Sequence, residues 1–460
     1  MRWPRPGSSR RYSEGWCAVR PAAKERPDMD AVMCGSDAAM QRDWRWTQPL
    51  LAVVVGLSFF LLFPPVGLDS RYSLLELSLV ILTAVLVIFV CSRTTIRTVA
   101  VPTALAVLLV LMCFSAAWSF ASWETARDAL TFVVLAVVAF FIVHSARLNT
   151  ILIGVAAGGL LALAGSLVLI AVAPEQAFYH TGAVQGFYGN RNGFGYVILM
   201  ALPAAMAVRL AFRAGLLVKT VLVLVLAAGV VASDSKTSIF AMLLVVLVWV
   251  AAVLVRRHWG YLAALALGVI VVVAFAAVNY TRVLELLGKD PTLNGRSEIW
   301  SAVLSVVPHS LVIGFGWSRS WPAGSPHSAA VVEALGGHAV FHAHNEMLNW
   351  LVTLGGVGLL VVVALYVFVL WSGARIFRTA TVEGGVWVLL ASVMLIGRGF
   401  TDISETAPQG WFMLMLVAFV AAKYWSDSST KPASGIVLLR WPQRRHAPRR
   451  GVAKEMIVSE

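Results

Sequence analysis

The feature that most limits how this chain folds is a succession of long apolar runs. Twelve runs are long enough, or nearly long enough, to cross a hydrocarbon core of about 30 Å as helices. Inside a bilayer every backbone polar group needs an internal partner, so such runs form helices. The sequence therefore predicts an all-α polytopic membrane protein with about 12 transmembrane helices. The runs lie near residues 49–63, 73–91, 99–119, 128–144, 151–173, 194–212, 216–232, 237–255, 260–278, 347–371, 385–400 and 409–425.

Composition supports this class and argues against nucleic-acid binding. The 460 residues are 59% hydrophobic and 13% charged, whereas a soluble domain is about 25% charged. The net charge of +13 comes from basic residues spread over many loops and both tails. No basic platform lined with aromatic side chains accompanies them, so we expect no nucleic-acid partner.

Lysine and arginine are distributed unequally between alternate loops. If the N-terminus is cytoplasmic, the short inner loops carry ten of these residues and the short outer loops carry five. The positive-inside rule then predicts a multi-pass membrane protein with both termini cytoplasmic. The inner-loop residues are Arg93, Arg97, Arg147, Arg209, Arg213, Lys219, Arg256, Arg257, Arg375 and Arg378.

The chain divides into a membrane domain and two tails. Residues 1–45 contain no membrane-spanning run and no cleavage signature, and are interpreted as a cytoplasmic, disordered tail. Residues 46–425 form the membrane domain, and residues 426–460 form a basic cytoplasmic tail. Between the ninth and tenth helices lies a large extracytoplasmic loop, 279–346. No cysteine falls in an outer loop, so no extracytoplasmic disulfide is expected.

Part of the large loop has a helical pattern. Ile299, Trp300, Val303 and Val307 fall on one face, which predicts an amphipathic helix over 296–307. Asn294 or Ser297 is a candidate N-cap, and Pro308 would end the helix.

Polar side chains that can take part in catalysis or binding concentrate at the outer side of the membrane. Transporters place ionisable residues near the midplane, whereas almost none occur there in this sequence. A polar cluster at the water boundary suits a substrate that is half lipid and half polar. The cluster contains Asn190, Arg191, Asn192, Asp234, Lys236, Arg296, Glu298, His338, His342, His344, Asn345, Glu346, Arg398, Asp402 and Glu405.

Four short segments carry a family resemblance. His344 and Asn345 are followed by nine residues, then Gly355 and Gly358, directly after the large loop. The segments GNRNGFG, SDSKTS and NGRSEIW precede this motif in the same chain. In this order the chain resembles the O-antigen ligase and O-antigen polymerase superfamily, over roughly residues 49–425, and within it the exopolysaccharide polymerases.

The resemblance implies a membrane glycosyltransferase of GT-C-type architecture. Such an enzyme uses an oligosaccharide on a polyprenyl pyrophosphate carrier and a glycan acceptor, at the outer face of the cytoplasmic membrane. It implies no cofactor and no metal ion. Polymerase and ligase use the same chemistry and stay open, with polymerase preferred by analogy. A flippase and a chain-length regulator would be the expected partners of a polymerase.

The chemistry assigns candidate roles to four side chains. His344 is the candidate catalytic base, because a histidine pKa lies near neutrality. Arg191 and Arg296 are candidate ligands of the donor pyrophosphate, because arginine binds phosphate oxygens in bidentate fashion. Lys236 stands where many relatives have arginine and is a third candidate ligand of the pyrophosphate. Lysine keeps the positive charge but lacks the planar group that binds phosphate through two hydrogen bonds. The competing interpretations are a snorkelling anchor for Arg191 and an exposed helix position for Arg296.

Several further residues are interpreted as supporting or sugar-binding groups: Asn345, His342, Asn190, Asn192 and Trp300. Trp300, Trp317 and Trp321 suit either sugar stacking or an interfacial belt. A metal shared by His338 and His342 would require a helix there, and no metal site is expected.

Four other residues near the motif are interpreted as structural. Glu346 is interpreted as a helix cap, ahead of a role in orienting the imidazole. Arg398, Asp402 and Glu405 are interpreted as an ion-pair group that closes the helix ends.

Two other functions remain as alternatives. A flippase or transporter of lipid-linked oligosaccharide fits the helix number but not the missing midplane charges. A non-catalytic envelope scaffold would tolerate loss of His344.

Gly355 and Gly358 are expected to let a neighbouring helix pack closely.

Overall fold

A computed structural model describes residues 47–58, 101–255, 259–278, 295–379 and 381–429, together with the isolated positions 85, 87 and 282. Regular structure in these residues is helical, apart from one isolated bridge between Phe178 and Val184. The described helices of nine or more residues are α1 Thr47–Ser58, α2 Thr103–Phe114, α3 Ser122–Ser145, α4 Leu148–Val172, α5 Arg191–Ala207, α6 Gly215–Ala232, α7 Lys236–Val255, α8 Trp259–Val278, α9 Arg296–Val306, α10 Pro326–Ala334, α11 Glu346–Thr379, α12 Val382–Gly399 and α13 Pro408–Ser429.

The predicted class, a polytopic α-helical membrane protein, is confirmed. Among the described residues, six helices are long and apolar enough to cross a membrane: α3, α4, α6, α7, α11 and α12. The number twelve stays a prediction, because the run 73–91 and both predicted tails fall almost wholly outside the described residues. One run was drawn too long, since α5 ends at Ala207 rather than near 212.

Short connections make consecutive helices antiparallel, which brings alternate connections to the same end of the bundle. At one end α5, α7 and α11 begin and α6 and α12 finish; we call this the site end. The helix α13 lies inside the bundle, and its residues Trp411–Leu416 have no exposed surface. A helix that is apolar and buried on all sides acts as a central core element. In contrast, α6 leaves Leu216 and Leu224 largely exposed, as a lipid-facing helix would.

The part of the large loop that is described has a small core of its own. The predicted amphipathic helix is confirmed as α9, whose Ala302, Val303 and Val306 are buried. Its N-cap residue is Gly295, with no side-chain cap bond, so Ser297 is not the cap and Asn294 lies outside the described residues. This core joins α9 and α10 to the first turns of α11. Its buried members are Ala302, Val303, Val306, Val307, Trp321, Val331, Ala343 and Val352.

The helix α11 is interrupted at Gly355, which corrects the role expected of the two motif glycines. Gly355 has φ +67° and ψ −168°, so the helix breaks there. A Cβ on Gly355 would collide with the backbone of Val312, and one on Gly358 would collide with Leu354 of the same helix. The close approach therefore involves a loop and the helix's own preceding turn, rather than a neighbouring helix.

Candidate functional site

Four segments that are far apart in sequence meet in one cavity at the site end. The cavity has a volume of about 200 Å³. It is lined by Arg191, Asn192, Lys236, Thr237, Arg296, Ile299 and His344. Each of the four motifs singled out in the sequence contributes at least one lining residue. The cavity therefore combines three cationic side chains with one imidazole.

The N-terminus of α5 forms the first wall. Asn190 is the N-cap, and its side chain accepts a hydrogen bond from the Asn192 backbone at 2.8 Å. This cap fixes Arg191 as the first helical residue and directs the amides of the first turn toward the cavity end. The side chain of Asn192 accepts a bond from Ser235 Oγ at 2.9 Å, which ties this wall to the next.

The start of α7 forms the second wall. Asp234 lies between two cations: its carboxylate is 3.1 Å from the Arg191 guanidinium and 2.7 Å from the Lys236 ammonium. Asp234 has φ +48°, an uncommon conformation for a residue with a side chain. The turn holds both cations at the rim with a single carboxylate between them, which leaves one net positive charge in the trio.

Arg296, the first residue of α9, approaches from the large loop. Its guanidinium donates a hydrogen bond to the backbone carbonyl of Thr401. Burial lowers the pKa of Arg296, while nearby Asp402 raises it. A guanidinium stays charged at neutral pH in any such setting, so Arg296 adds a partly desolvated positive charge to the cavity.

His344 is part of a chain of charged and polar groups. Its Nδ1 lies 3.3 Å from Asp402 Oδ1, and the other Asp402 oxygen lies 3.4 Å from the Arg398 guanidinium. The Arg398 guanidinium in turn lies 3.7 Å from the centre of the Tyr196 ring. Burial alone would raise the pKa of Asp402, but Arg398 and the bond from His344 hold it well below its usual range. Asp402 is therefore an ionised carboxylate that fixes one ring nitrogen of His344.

The backbone of His344 is in a sparsely populated conformation. Its φ of +47° is unusual for a non-glycine residue, and its N–H donates to His342 Nδ1 at 3.3 Å. Burial, with help from nearby cations, lowers the pKa of His342 to about 4. His342 is therefore neutral at physiological pH and can accept that bond. Strained positions of this kind concentrate at functional sites.

The two residues that follow His344 connect the start of α11 to the end of α12 and the loop after it. Asn345 caps α11 by accepting from the Leu348 backbone at 3.1 Å, and its amide donates to the Phe400 carbonyl at 3.1 Å. Glu346, interpreted from sequence as the cap, is fully buried instead. Its carboxylate accepts bonds from the backbone of Ser404 at 2.7 Å and of Thr406 at 2.9 Å. Glu346 therefore fixes the loop that carries Asp402.

The tryptophans are structural in this arrangement. Trp300 is partly buried and donates its indole N–H to the carbonyl of Ala343 at 3.0 Å, which supports the residue before His344. Trp317 and Trp321 are 0% and 2% exposed, so neither offers a ring face to a sugar. Trp317 stacks on Trp350 instead. Their burial argues against both alternatives for these two side chains, sugar stacking and an interfacial belt.

One group of side chains has the composition of a metal site. Potential ligand atoms of His342, His344 and Asp402 lie within 4.8 Å of one another. The pair considered from sequence, His338 and His342, lies in a non-helical segment, so its helical spacing does not apply. Arg398 already pairs with Asp402, and Arg296 is close to it. These fixed positive charges oppose a divalent cation at the same point.

Sequence reasoning missed the role of Asp402. The residue was placed in an ion-pair group with Arg398 and Glu405, and only the Arg398 pair is present. Glu405 is buried and accepts a hydrogen bond from Tyr366 instead. Nothing in the spacing of these acids distinguishes the one that reaches His344, since 58 residues separate the pair.

Comparison with known proteins agrees with this picture. Residues 221–363 match the family model described as O-antigen ligase. The curated exopolysaccharide production protein ExoQ of Rhizobium meliloti (strain 1021) is 24% identical over 330 residues, which cover 67% of this chain and 74% of the relative. The matched family region contains Lys236, Arg296 and His344. Both matches support a relationship of this chain to the O-antigen ligase/polymerase-like membrane proteins.

Proposed function

We propose that this protein is a glycosyltransferase that transfers an oligosaccharide from a polyprenyl pyrophosphate carrier to a hydroxyl group of an acceptor glycan. The observation that carries the proposal is the cavity in which Arg191, Lys236 and Arg296 surround His344, whose ring is held by Asp402. The imidazole and the cations match the two needs of this reaction: a proton acceptor for the hydroxyl and a counter-charge for the departing pyrophosphate.

The transfer step balances with these groups. The acceptor oxygen forms a bond to the anomeric carbon of the donor sugar, and the bond from that carbon to the pyrophosphate oxygen breaks with its electron pair. The hydroxyl proton passes to Nε2 of His344. With its proton on Nδ1, the ring donates a hydrogen bond from Nδ1 to Asp402 Oδ1 at 3.3 Å. The Nε2 atom is then unprotonated, faces away from the carboxylate and can accept the hydroxyl proton. Asp402 then stabilises the imidazolium that forms, as in other oriented histidine bases.

The cations act on the leaving group. Arg191 and Arg296 supply planar donors for phosphate oxygens, and Lys236 adds a compact charge. In the free protein Asp234 neutralises part of this charge. A pyrophosphate that enters the cavity competes with Asp234 for Arg191 and Lys236. This competition would keep the product pyrophosphate from binding too tightly.

The position of the cavity supports an amphiphilic substrate. It lies where α5, α7 and α11 begin, at the boundary between the lipid-facing helices and the polar loops. The connections at the opposite end carry Arg147, Arg209 and Arg213, which the positive-inside rule assigns to the cytoplasm. We therefore assign the cavity to the outer face of the cytoplasmic membrane, with both termini cytoplasmic. The twelve-helix GT-C-type arrangement belongs to the same proposal.

The preferred acceptor is a second lipid-linked repeat unit, which makes the protein a polymerase. The similarity to a protein named for exopolysaccharide production supports this preference over ligation to a different acceptor. A flippase that supplies the donor and a regulator of chain length are the partners that such a polymerase would need. Because Arg398 and Arg296 crowd the histidine and aspartate groups, we propose that catalysis needs no metal ion.

Reconstitution tests the function directly. Purified protein in liposomes is incubated with polyprenyl-pyrophosphate-linked repeat units, and products are separated by chain length, with and without EDTA. Longer lipid-linked glycans that form equally well in EDTA are expected. Movement of the donor across the bilayer without any new glycosidic bond would favour a flippase, and transfer only to another class of acceptor would favour a ligase.

A further inference from the structure

The break in α11 is filled by a segment of the large loop, residues 311–316, which we call the insert segment. Two of its amides donate into the helix: Phe315 to the Val352 carbonyl at 2.8 Å and Gly316 to the Thr353 carbonyl at 2.9 Å. Beyond the break the helix donates in return, with Gly356 bonded to the Leu311 carbonyl at 2.7 Å. The backbone groups that the break would leave unpaired are thus satisfied by the loop.

The tip of the insert segment is apolar and exposed. Leu311, Val312 and Ile313 are 54%, 62% and 47% exposed. Three consecutive exposed branched aliphatic side chains on a loop are unfavourable in water. They adjoin Val357 of α11, which donates its amide to the Val312 carbonyl at 3.1 Å.

The length of α11 places this tip at the edge of the membrane. The second part of the helix runs from Gly356 to Thr379, and Arg375 packs on the Trp425 ring at 4.2 Å, as expected at a membrane interface. The residues from Gly356 to Arg375 rise about 30 Å, which is the thickness of one hydrocarbon core. Gly356 therefore lies near the opposite edge of that core, at the level of the insert segment.

The lipid-facing surface of α11 leads to the same place. Leu360 and Val367 are 70% and 61% exposed along a helix that is apolar and long enough to cross a membrane. Val357 continues this stripe toward the break, and Val312 extends it onto the loop. Exposed apolar side chains thus follow one another from the membrane-spanning helix to the insert segment.

We propose that Leu311–Ile313 insert among the acyl chains of the leaflet at the site end and anchor the large loop to the membrane. The occupant of this surface is lipid, because the surface continues a lipid-facing helix at the depth of the hydrocarbon edge. The anchor fixes the region whose two ends carry Arg296 and His344. It does not depend on the proposed chemistry of those residues.

Depth measurement tests the anchor. The four native cysteines, at 17, 34, 91 and 113, are replaced, and Val312→Cys is labelled with an environment-sensitive fluorophore in reconstituted vesicles. Leu360→Cys serves as the lipid-facing control, and Glu333→Cys, exposed on α10, serves as the control in water. We expect blue-shifted emission at 312, quenching by lipids with a spin label near the headgroup, and little quenching by iodide.

Two results would overturn the proposal. Iodide quenching at 312 equal to that at 333 would place the tip in water. Protection of the 312 label from both iodide and spin-labelled lipid would mean that a second copy or another protein covers it.

A second variant pair tests the anchor without a label. Val312→Asp places a charge at the hydrocarbon edge, whereas Val312→Leu does not. Val312→Asp should accelerate hydrogen exchange of the Gly356 and Val357 amides at least about tenfold in vesicles, with Val312→Leu unchanged. Equal exchange in both variants would contradict insertion.

Discussion

The Nδ1 atom of His344 lies 3.3 Å from Oδ1 of Asp402, although 58 residues separate them in the chain. The contact joins the start of α11 to the loop after α12, and Arg398 holds the second carboxylate oxygen at 3.4 Å. A carboxylate in this position selects the tautomer and the orientation of the ring. The pair is therefore the natural starting point for testing the proposed base.

Removal of either partner should remove most of the transfer rate. General-base catalysis contributes on the order of 10²–10⁴, so His344→Ala should lower kcat by that factor. Asp402→Asn keeps the shape but lets the ring adopt the wrong tautomer, and should lower kcat by at least about 10². Single-turnover rates with lipid-linked donor, and yields of inserted protein, measure both effects. Wild-type rates in His344→Ala would disprove the assignment of the base.

Loss of Arg296 should weaken donor use more than loss of a distant cation. A hydrogen bond to a charged group contributes about 1.5–3 kcal/mol, so Arg296→Ala should raise the donor KM roughly tenfold or more. Arg296→Lys should recover part of this effect, because it keeps the charge without the planar donors.

Arg209 supplies the matched control for Arg296. It lies at the opposite end of the bundle, is 75% exposed and pairs with Glu383 at 3.4 Å. Arg209→Ala should leave the donor KM unchanged. Equal effects of Arg209→Ala and Arg296→Ala would show that the cavity cations do not bind the donor.

Glu346 should affect both stability and turnover. Its carboxylate accepts bonds from the Ser404 amide, the Thr406 amide and the Thr406 hydroxyl, all in buried surroundings. Glu346→Gln replaces one acceptor oxygen with a donor and leaves one of the two buried N–H groups unpaired, at a cost of about 1–3 kcal/mol.

The expected results are a lower Tm and a lower kcat, because the loop from Ser404 to Thr406 positions Asp402. Thermal unfolding in detergent and steady-state kinetics measure the two quantities. Glu124→Gln, an exposed acid in the first turn of α3, is the control and should change neither. A stable Glu346→Gln variant with full kcat would contradict the positioning role.

The sequence was sufficient to bring the cavity residues to one end of the molecule. Alternate connections of antiparallel helices meet at the same end, so Arg191, Lys236 and His344 followed from the positions of the apolar runs. The same reasoning located α9 from its hydrophobic face. These inferences depend on the spacing of apolar residues and on the alternating direction of consecutive helices, both of which can be read from the order of segments along the chain.

The contacts within the cavity were beyond such reasoning. Which acid reaches His344 depends on how the loop after α12 folds: Asp402 makes this contact, whereas Glu346 binds backbone amides of the same loop. The helix break at Gly355 could not be predicted from the sequence pattern either, because glycine is common in membrane helices for packing alone. Its positive φ comes from a pairing with the insert segment, about forty residues earlier in the chain.

Substitution of Gly355 should be far more damaging than substitution of its neighbour. Gly355→Ala combines φ +67° with a collision against the Val312 backbone, so we expect a loss of about 2 kcal/mol or more. A Cβ on Gly356 would meet only the Leu311 carbonyl, at 3.4 Å. Gly356→Ala is thus a matched control with a small effect. Thermal unfolding of the two variants measures the difference, and similar Tm values would show that the break is not required.

Acidification should destabilise the large loop through His327. This side chain is buried against the ring of Phe315 at 4.5 Å, near Trp321 and Ser325, and burial lowers its pKa to about 4 from an ordinary value of 6.5. Between pH 6.5 and 4 the unfolded chain binds a proton that the folded chain excludes. Stability is therefore fully retained above pH 6.5 and falls as the pH drops toward 4.

Replacement of His327 isolates this contribution from the other groups that titrate in the same range, including His342. His327→Gln removes the proton acceptor, so the decrease in Tm between pH 7 and pH 4.5 should be smaller than in the wild type. His309, on a partly exposed turn of the same region, supplies the control His309→Gln, whose pH dependence should match the wild type. If His327→Gln loses as much stability on acidification as the wild type, the neutral state of His327 does not stabilise the loop.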